Sequence, residues 1–316
     1  MNKLISIVTP CFNEKDNIDE LCERIRTTMA GLSYRYEHIF IDNCSTDGTV
    51  KKIKEIAAQD KRVKLIVNIR NFGHIKSPYY ALLQSRGDAC VLIASDLQDP
   101  PEMIKEFIEK WEEGFNTVLA VKPESKESPL MFFIRKVYYK LITRISEIPL
   151  VKNATGAGLF DRKVIEILRK LDDPYPYFRG LVCEVGGPIA TVPFTQPRRT
   201  RGVTKNNFFT LFDLAMLGIT NHSKIPLRLM TMAGFSISVI SFLVAIGFLI
   251  AKIIFWNSFV LGIAPLVIGL FFFSAVLTFF MGILGEYIGA IHTQIRNMPL
   301  VIEAERVNFD KDLGGN

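Results

Sequence analysis

Short apolar runs alternate with amphipathic stretches along the N-terminal part of the chain. The apolar runs have the length of buried strands and comprise residues 4–9, 38–42, 63–68, 89–94 and 117–121. The stretches between them carry apolar side chains at helical spacing and comprise residues 17–29, 49–58, 75–85 and 101–111. This alternation predicts an α/β domain with a mostly parallel sheet and helices on both faces.

The pattern changes near the C-terminus, where two long segments lack charged side chains. Residues 229–251 form the first, and residues 253–285 form the second, which is interrupted only by the polar break at 256–258. At 1.5 Å per residue, a helix of ~23 residues spans roughly 35 Å, which is enough for a bilayer core. We predict two transmembrane helices, at about 229–254 and 260–284. A buried hairpin is the alternative, but the rest of the chain is too small to cover so much apolar surface.

Basic residues flank this hairpin and are absent from its turn. Lys224 and Arg228 precede the first helix, and Arg296 follows the second. The positive-inside rule therefore places both flanks and both termini in the cytoplasm. We predict a cytoplasmic domain at 1–195, a basic juxtamembrane segment at 196–228, the transmembrane hairpin at 229–285 and a cytoplasmic tail at 286–316. Residues 4–9 are too short for the apolar region of a signal peptide.

Composition narrows the set of partners. The 316 residues carry a net charge of +6, five cysteines without CxxC spacing and four histidines. Reduced thiols in a cytosolic domain are expected, and a zinc site is not. Because basic residues concentrate beside the apolar segments, we expect anionic lipids or substrates as partners rather than nucleic acid.

Polar residues follow several of the predicted strands. Asn13 and Glu14 come after the first, Asp42 after the second, and the sequence Asp96-Leu97-Gln98-Asp99 after the fourth. Ligands of open α/β sheets bind at the carboxyl ends of strands. A single Asp in such a place is commonly a helix cap, but acidic residues at successive strand ends favour a nucleotide diphosphate held through Mg²⁺ or Mn²⁺. Neither a GxGxxG sequence nor a P-loop is present.

Three stretches resemble the family 2 glycosyltransferases, which have the Rossmann-like GT-A fold. They are SIVTPCFNE at 6–14, IDNCSTDGT at 41–49 and DLQDPPE at 96–102. The two C-terminal helices with GEYIG at 285–289 are similar to the polyprenyl-phosphate glycosyltransferases, which include dolichyl-phosphate mannose synthases and bactoprenol glucosyltransferases. The resemblance implies an inverting, metal-dependent transfer of a sugar from a nucleotide-sugar, UDP before GDP, to polyprenyl phosphate at the cytoplasmic membrane face. The product would serve cell-envelope glycan or glycoprotein modification, and a homotetramer is consistent with the group.

The resemblance also implies roles for individual residues. Those at the nucleotide are Pro10, Asn13, Glu14, Asp42 and Arg70. Asp96 and Gln98 would hold the metal and diphosphate, and the catalytic set would be Asp96, Gln98 and Asp161. Two departures stand out. Ala94 replaces the first acid of the usual Asp-x-Asp, and no acid stands near Gly156, so that Asp161 is the nearest carboxylate; it is also placed to start a helix at 163–171.

Two basic stretches are candidates for binding the acceptor phosphate. Residues 129–148 have the composition of an interfacial amphipathic helix and include Arg135. Residues 196–205 resemble the juxtamembrane segment of the group and include Arg198, Arg201 and Lys205. General attraction to anionic membrane lipids is the alternative role for these cations.

Two other functions are compatible with parts of the sequence. A non-catalytic, membrane-tethered nucleotide-sugar-binding scaffold is favoured by Ala94 and by the missing acid near Gly156. A processive polysaccharide synthase is disfavoured, because Gln196 is not followed by a QxxRW pattern and two helices are few for a channel.

Overall fold

The computed structural model describes residues 3–122, 150–195, 225–255, 263–296 and 298–309. Its strands are β1 (Leu4–Cys11), β2 (Arg35–Asp42), β3 (Val63–Asn68), β4 (Ala89–Leu92), β5 (Thr117–Val121), β6 (Ala154–Asp161), β7 (Ile189–Pro193) and β8 (Glu303–Val307). Its helices are α1 (Lys15–Ala30), α2 (Thr49–Gln59), α3 (Gly73–Leu83), α4 (Met103–Glu112), α5 (Arg162–Leu171), α6 (Phe178–Glu184), α7 (Ile225–Ile254) and α8 (Ile263–Ile295).

All eight strands belong to one sheet with the order β7-β5-β6-β4-β1-β2-β3-β8. Strands β1 to β4 are parallel, and β5 is parallel to β7. Strand β6 runs antiparallel to β4 and β5, and β8 runs antiparallel to β3. The prediction of a mostly parallel α/β sheet is confirmed, and the five predicted strands are present with small shifts at their ends.

Two apolar cores cover the two faces of the sheet. One packs α1, α2 and α4 against the sheet and includes Leu21, Ile53 and Phe107. The other packs α3, α5 and α6 against the opposite face and includes Tyr79 and Leu168. Successive strand residues alternate between these cores, as expected when both faces are covered by helices.

The C-terminal residues differ from the predicted tail. Helix α8 continues to Ile295, past the predicted end of the second transmembrane helix at 284, and Pro299 follows it. The chain then returns to the sheet, where β8 pairs with β3 and the backbone N–H of Ile69 donates to the carbonyl of Ile302 at 3.0 Å. Residues 303–307 therefore complete the sheet of the N-terminal domain rather than forming a separate tail.

Helices α7 and α8 are the two long apolar helices that the sequence predicts. Spans at 225–244 and 272–295 are long and apolar enough to cross a membrane. The two helices contact each other at Gly234 and Phe280. A Cβ atom built at Gly234 would lie 3.9 Å from Cε2 of the Phe280 ring. The predicted basic stretches at 129–148 and 196–205 lie outside the described residues.

Candidate active site

The polar residues that follow β1, β2 and β4 meet at the carboxyl edge of the sheet. The backbone N–H of Asn13 donates to the Ser45 hydroxyl at 2.8 Å, and Oδ1 of Asn13 accepts from the N–H of Thr46 at 2.8 Å. The loop after β4 joins them, because the N–H of Ile93 donates to the carbonyl of Val8 at 3.0 Å. The parallel arrangement therefore brings together loops that are far apart in the sequence, as predicted.

Asn13 and Glu14 form a fixed corner at the end of β1. Asn13 has a φ of +58°, a left-handed conformation that asparagine tolerates better than most residues. The Glu14 N–H donates to the Thr49 hydroxyl at 3.0 Å, and its buried carboxylate accepts from Nδ2 of Asn17 at 2.6 Å. Pro10 lies half-buried at the same strand end. These three residues of the predicted nucleotide site are adjacent in space.

Asp42 is completely buried beneath this corner. Oδ1 accepts from the N–H of Ser45 at 2.8 Å, and Oδ2 accepts from the Ser45 hydroxyl at 2.5 Å and from the thiol of Cys11 at 3.8 Å. Burial raises the pKa of Asp42, and the hydrogen bonds from Ser45 oppose that rise. In this conformation Asp42 organises the loop after β2 through its hydrogen bonds with Ser45.

Asp96 and Gln98 lie half-buried in the loop after β4, separated by Leu97 with a φ of +59°. The N–H of Gln98 donates to Oδ1 of Asp96 at 3.1 Å, and among the described residues the structure records no hydrogen bond to Oδ2. No cluster of three or more metal-ligating side chains occurs in the described part of the chain. A carboxylate and an amide oxygen suit Mg²⁺ or Mn²⁺, which commonly take their remaining ligands from substrate phosphates and water. The residues present thus fit a metal that binds together with a nucleotide diphosphate.

A cavity of about 250 Å³ lies beside this loop, between α3, β6 and α6. Its polar lining comprises His74, Asp99, Thr155, Tyr177 and Arg179. Burial, reinforced by Asp96, raises the pKa of Asp99 to about 6, while the N–H of Ala94 and the charge of Arg179 oppose that rise. Asp99 is one of the strand-end residues, but no role for it is predicted from the sequence, because no local sequence signal indicates the cavity.

The structure does not bring Asp161 to this site, so its catalytic assignment is wrong. Asp161 pairs in register with Ala89 at the beginning of β4, whereas Asp96 follows the end of that strand. Gly156, which lines the cavity, is five residues away along β6, roughly 16 Å at the rise of an extended strand. The carboxylate caps α5 by accepting from the N–H of Lys163 at 2.9 Å.

Arg70 stands at the rim of the site rather than within it. It is exposed, and its guanidinium lies 4.0 Å from the centre of the Phe72 ring. Asn43 ties this loop to the end of β2, because its Oδ1 accepts from the N–H of Phe72 at 2.9 Å and its Nδ2 donates to the carbonyl of Gly73 at 2.9 Å. Asn43 is therefore a positioning residue, and no role for it is predicted from the sequence. The predicted lipid-phosphate residues lie outside the described part of the chain: Arg135, Arg198, Arg201 and Lys205.

Similarity to known proteins identifies the family of this chain. Residues 6–168 match the family described as Glycosyl transferase family 2, more than half of the chain. The chain belongs to glycosyl transferase family 2, and its sheet with helices on both faces is of the GT-A type.

Similarity to individual relatives extends through the C-terminal helices. An uncharacterized glycosyltransferase of Synechocystis is 33% identical over 302 residues, covering 95% of both chains. The SfII prophage-derived bactoprenol glucosyl transferase of Shigella flexneri is 34% identical over 299 residues, covering 94% of this chain and 96% of the relative. Among solved structures, glucosyl-3-phosphoglycerate synthase from Mycobacterium tuberculosis, in complex with Mn²⁺, UDP-glucose and phosphoglyceric acid, is 20% identical with a TM-score of 0.44, covering 69% of this chain and 78% of that one.

Proposed function

We propose that this glycosyltransferase moves a monosaccharide from a nucleotide-sugar onto polyprenyl phosphate. A UDP-sugar is favoured over a GDP-sugar as the donor. The observation that carries this proposal is the similarity to the bactoprenol glucosyl transferase of Shigella flexneri, which extends over 94% of this chain and so includes the long apolar helices. An acceptor with a long hydrocarbon tail also suits an enzyme whose sequence combines a nucleotide-type site with such helices.

Asp96 and Gln98 are the residues that would hold a divalent metal and the diphosphate of the donor. When bound, Mg²⁺ or Mn²⁺ supplies positive charge that stabilises the departing nucleotide diphosphate. The chain itself fixes the spacing of the two side chains, because the left-handed Leu97 and the bond from the Gln98 N–H to Asp96 hold the loop in one turn.

The phosphate acceptor does not need a strong base to remove a proton before it reacts. A phosphate monoester has its second pKa near ~6, so at neutral pH it is largely ionised and ready to attack the anomeric carbon. An enzyme with this acceptor therefore works without a strong general base, which accords with Asp161 lying away from the site. A single displacement would invert the anomeric configuration.

We place helices α7 and α8 across the membrane, with the catalytic domain on its cytoplasmic side. Strand β8 follows α8 and pairs with β3 of the catalytic domain, so the chain returns to the side from which it entered. Between β7 and α7, Asp213 interrupts the apolar part of residues 196–224, and no uncharged run approaches the ~20 residues of a further span. Arg198, Arg201 and Lys205 would then lie near the headgroup plane and, with Arg135, bind the acceptor phosphate.

The test is transfer by the purified full-length protein in nanodiscs. A panel of UDP- and GDP-sugars is incubated with undecaprenyl phosphate and MgCl₂ or MnCl₂, and the lipid fraction is analysed by mass spectrometry. The expected product is undecaprenyl phosphate carrying one hexose, formed by the wild type and not by Asp96→Ala. Nucleotide-sugar binding without any glycolipid product would support the scaffold alternative, and a ladder of longer products would support a processive synthase.

A further inference from the structure

The end of α8 contacts the catalytic domain at a place outside the candidate active site. Nε2 of Gln294, in the last turn of α8, donates to Oδ1 of Asp173 at 3.4 Å, and the N–H of Tyr175 donates to the same oxygen at 2.9 Å. On the domain side, Nζ of Lys76 in α3 lies 5.5 Å from the centre of the Tyr175 ring. These contacts bring Lys76 towards the end of α8, which Arg296 directly follows.

The chain that follows α8 brings Arg70 to the same place and adds exposed apolar side chains. The N–H of Ile69 donates to the carbonyl of Ile302 at 3.0 Å, so the loop that contains Arg70 lies beside residues 298–302. Ile69 is 49% exposed, Met298 is 43% exposed and Ile302 is 44% exposed. The junction between α8 and the domain therefore has both cationic and apolar side chains on its surface. We call it the junction patch, which comprises Ile69, Arg70, Lys76, Arg296, Met298 and Ile302.

The three cations of the junction patch are close enough to act on one another. Arg70 and Arg296 are exposed, and Lys76 is half-buried. Burial lowers the pKa of Lys76, and the charges of Arg70 and Arg296 lower it further, whereas Asp173 opposes that change. Among the residues that the structure describes, none forms an ion pair with any of these three cations. An anion bound among them would relieve their mutual repulsion.

The position and composition of the junction patch favour a membrane lipid as that anion. Arg296 directly follows the span 272–295, so the patch begins where that span ends. Basic side chains mixed with exposed apolar ones are typical of a surface that lies among lipid headgroups. A nucleotide or another soluble anion would use the cations but would leave the apolar side chains in water. An anionic phospholipid supplies a phosphate for the cations and hydrocarbon for the apolar residues.

We propose that the junction patch binds the headgroup phosphate of an anionic phospholipid and thereby holds the catalytic domain against the membrane surface. This inference rests on the proposed placement of α7 and α8 across the membrane. It assigns a lipid site that is separate from the basic residues proposed for the acceptor phosphate.

Native mass spectrometry of the full-length protein in detergent measures the preference for an anionic lipid. The protein is titrated with phosphatidylglycerol, which is anionic, and separately with phosphatidylcholine, which is zwitterionic. We expect the wild type to bind phosphatidylglycerol at least ~10-fold more tightly than phosphatidylcholine. The double variant Lys76→Gln with Arg296→Gln should reduce this preference to less than ~3-fold, because it loses two of the three cations. An equal preference in the wild type and the double variant would overturn the proposal.

Two further double variants separate the site from general attraction. Lys76→Arg with Arg296→Lys keeps both charges and should keep the preference for phosphatidylglycerol. Arg35→Gln with Lys163→Gln removes two exposed cations at the opposite edge of the sheet, where β2 begins and β6 ends, and should also keep it. An equal loss in this last control would show attraction to the net charge of the protein and would contradict a specific site.

Undecaprenyl phosphate distinguishes this site from that of the acceptor. Its binding, measured in the same way, should differ less than ~2-fold between the wild type and Lys76→Gln with Arg296→Gln, because other cations are proposed to hold the acceptor. Loss of undecaprenyl phosphate binding with an intact preference for phosphatidylglycerol would assign the junction patch to the acceptor instead. Neither titration contains a nucleotide-sugar, so the lipid result can be interpreted whether or not a glycolipid product is found in the transfer assay.

Hydrogen exchange in nanodiscs locates the bound lipid on the folded protein. Wild-type protein is compared in phosphatidylcholine alone and in an equimolar mixture with phosphatidylglycerol. We expect slower exchange in the mixture at residues 69–73 and 298–302, and no change in β2. Unchanged exchange at both of these segments would contradict the assignment of the lipid to the junction patch.

Discussion

The indole Nε1 of Trp111 donates a 2.7 Å hydrogen bond to Oδ2 of Asp161, joining the end of α4 to the beginning of α5. Trp111 is 8% exposed, and the other carboxylate oxygen of Asp161 caps α5 through the N–H of Lys163. Both oxygens therefore serve the packing of helices on the sheet, at the edge opposite to the candidate active site.

Removal of this carboxylate is expected to affect stability and to leave chemistry nearly intact. A helix cap contributes about 1 kcal/mol, and a hydrogen bond to a charged group contributes about 1.5–3 kcal/mol. Asp161→Ala should therefore lower the free energy of unfolding by roughly 2–4 kcal/mol while turnover stays within ~3-fold. Thermal unfolding and transfer assays measure the two effects. A 100-fold loss of turnover with an unchanged melting temperature would restore Asp161 to the catalytic set.

The sequence predicts the architecture well because strand and helix periodicities are local signals. The positions of the acidic residues that follow the strands can be predicted from the same signals, since parallel strands align their carboxyl ends at one edge of the sheet. The error at Asp161 arose because β6 was not predicted. Asp161 is close to Gly156 in sequence but not in space, because both lie on β6 and an extended strand separates successive residues by ~3.3 Å.

Two other features depend on contacts between distant parts of the chain. Strand β8 contains Glu303, Glu305 and Arg306 and carries little apolar patterning, so only the open edge of β3 makes it a strand. The cavity beside Asp99 forms where α3, β6 and α6 meet. Neither the strand β8 nor the cavity has a local sequence signal, so neither could be predicted from the sequence alone.

The C-terminal strand is expected to stabilise the catalytic domain through Asn308. Its Nδ2 donates to the carbonyls of Ala57 at 2.7 Å and Val63 at 2.8 Å, and its φ of +60° suits asparagine. Asn308→Ala should lower the free energy of unfolding by about 1–3 kcal/mol, because it loses both bonds and strains the backbone.

The variant Asn308→Gly separates these two causes, since glycine keeps the conformation and loses only the hydrogen bonds. Thermal unfolding should rank the wild type first, Asn308→Gly second and Asn308→Ala last. Hydrogen exchange should become faster at the amides of β3 that pair with β8. Identical melting temperatures for all three proteins would show that β8 adds nothing to the stability of the domain.

His38 is expected to make the domain sensitive to acid. Its ring lies fully within the core, 3.0 Å from the Thr9 hydroxyl and 4.0 Å from the centre of the Phe40 ring. Burial lowers the pKa of His38 to about 3, from 6.5 in the unfolded chain. Because the unfolded state binds the proton more tightly, this contribution to stability is complete above about pH 6.5 and is lost as the pH falls towards 3.

Within that window, each pH unit of acidification should lower the free energy of unfolding of the wild type by roughly 1.4 kcal/mol through His38 alone. His38→Gln keeps a polar group near Thr9 but does not titrate, so its melting temperature should fall less steeply between pH 6.5 and pH 5. Only the difference in slope matters, since the substitution also changes packing at every pH. Parallel slopes for the two proteins would exclude His38 as an acid-sensitive group.

Asp96 is expected to be required for turnover and for the binding of a divalent metal together with the nucleotide. It is half-buried in the loop after β4, and its Oδ1 accepts a 3.1 Å hydrogen bond from the backbone N–H of Gln98. Loss of a charge that organises stabilisation of the leaving group commonly costs ~100- to 1,000-fold in turnover. Turnover of Asp96→Asn should therefore be at least ~100-fold lower than that of the wild type. Excess EDTA should abolish wild-type activity until Mg²⁺ or Mn²⁺ is restored.

A neighbouring carboxylate offers the matched control for this last prediction. Glu102 lies six residues further along the same segment, but its exposed carboxylate pairs with Arg24 at 2.7 Å on the surface. Glu102→Gln should therefore retain turnover within ~3-fold and retain metal binding. Titration of Mn²⁺ in the presence of UDP, followed by electron paramagnetic resonance, gives a readout that does not depend on the lipid acceptor. Binding should weaken at least 10-fold in Asp96→Asn and stay unchanged in Glu102→Gln, because only Asp96 has a carboxylate oxygen directed to the diphosphate in our assignment. Full activity in EDTA would show that the leaving group is neutralised without a metal. Equal Mn²⁺ affinity in the two variants would show that Asp96 is not a metal ligand.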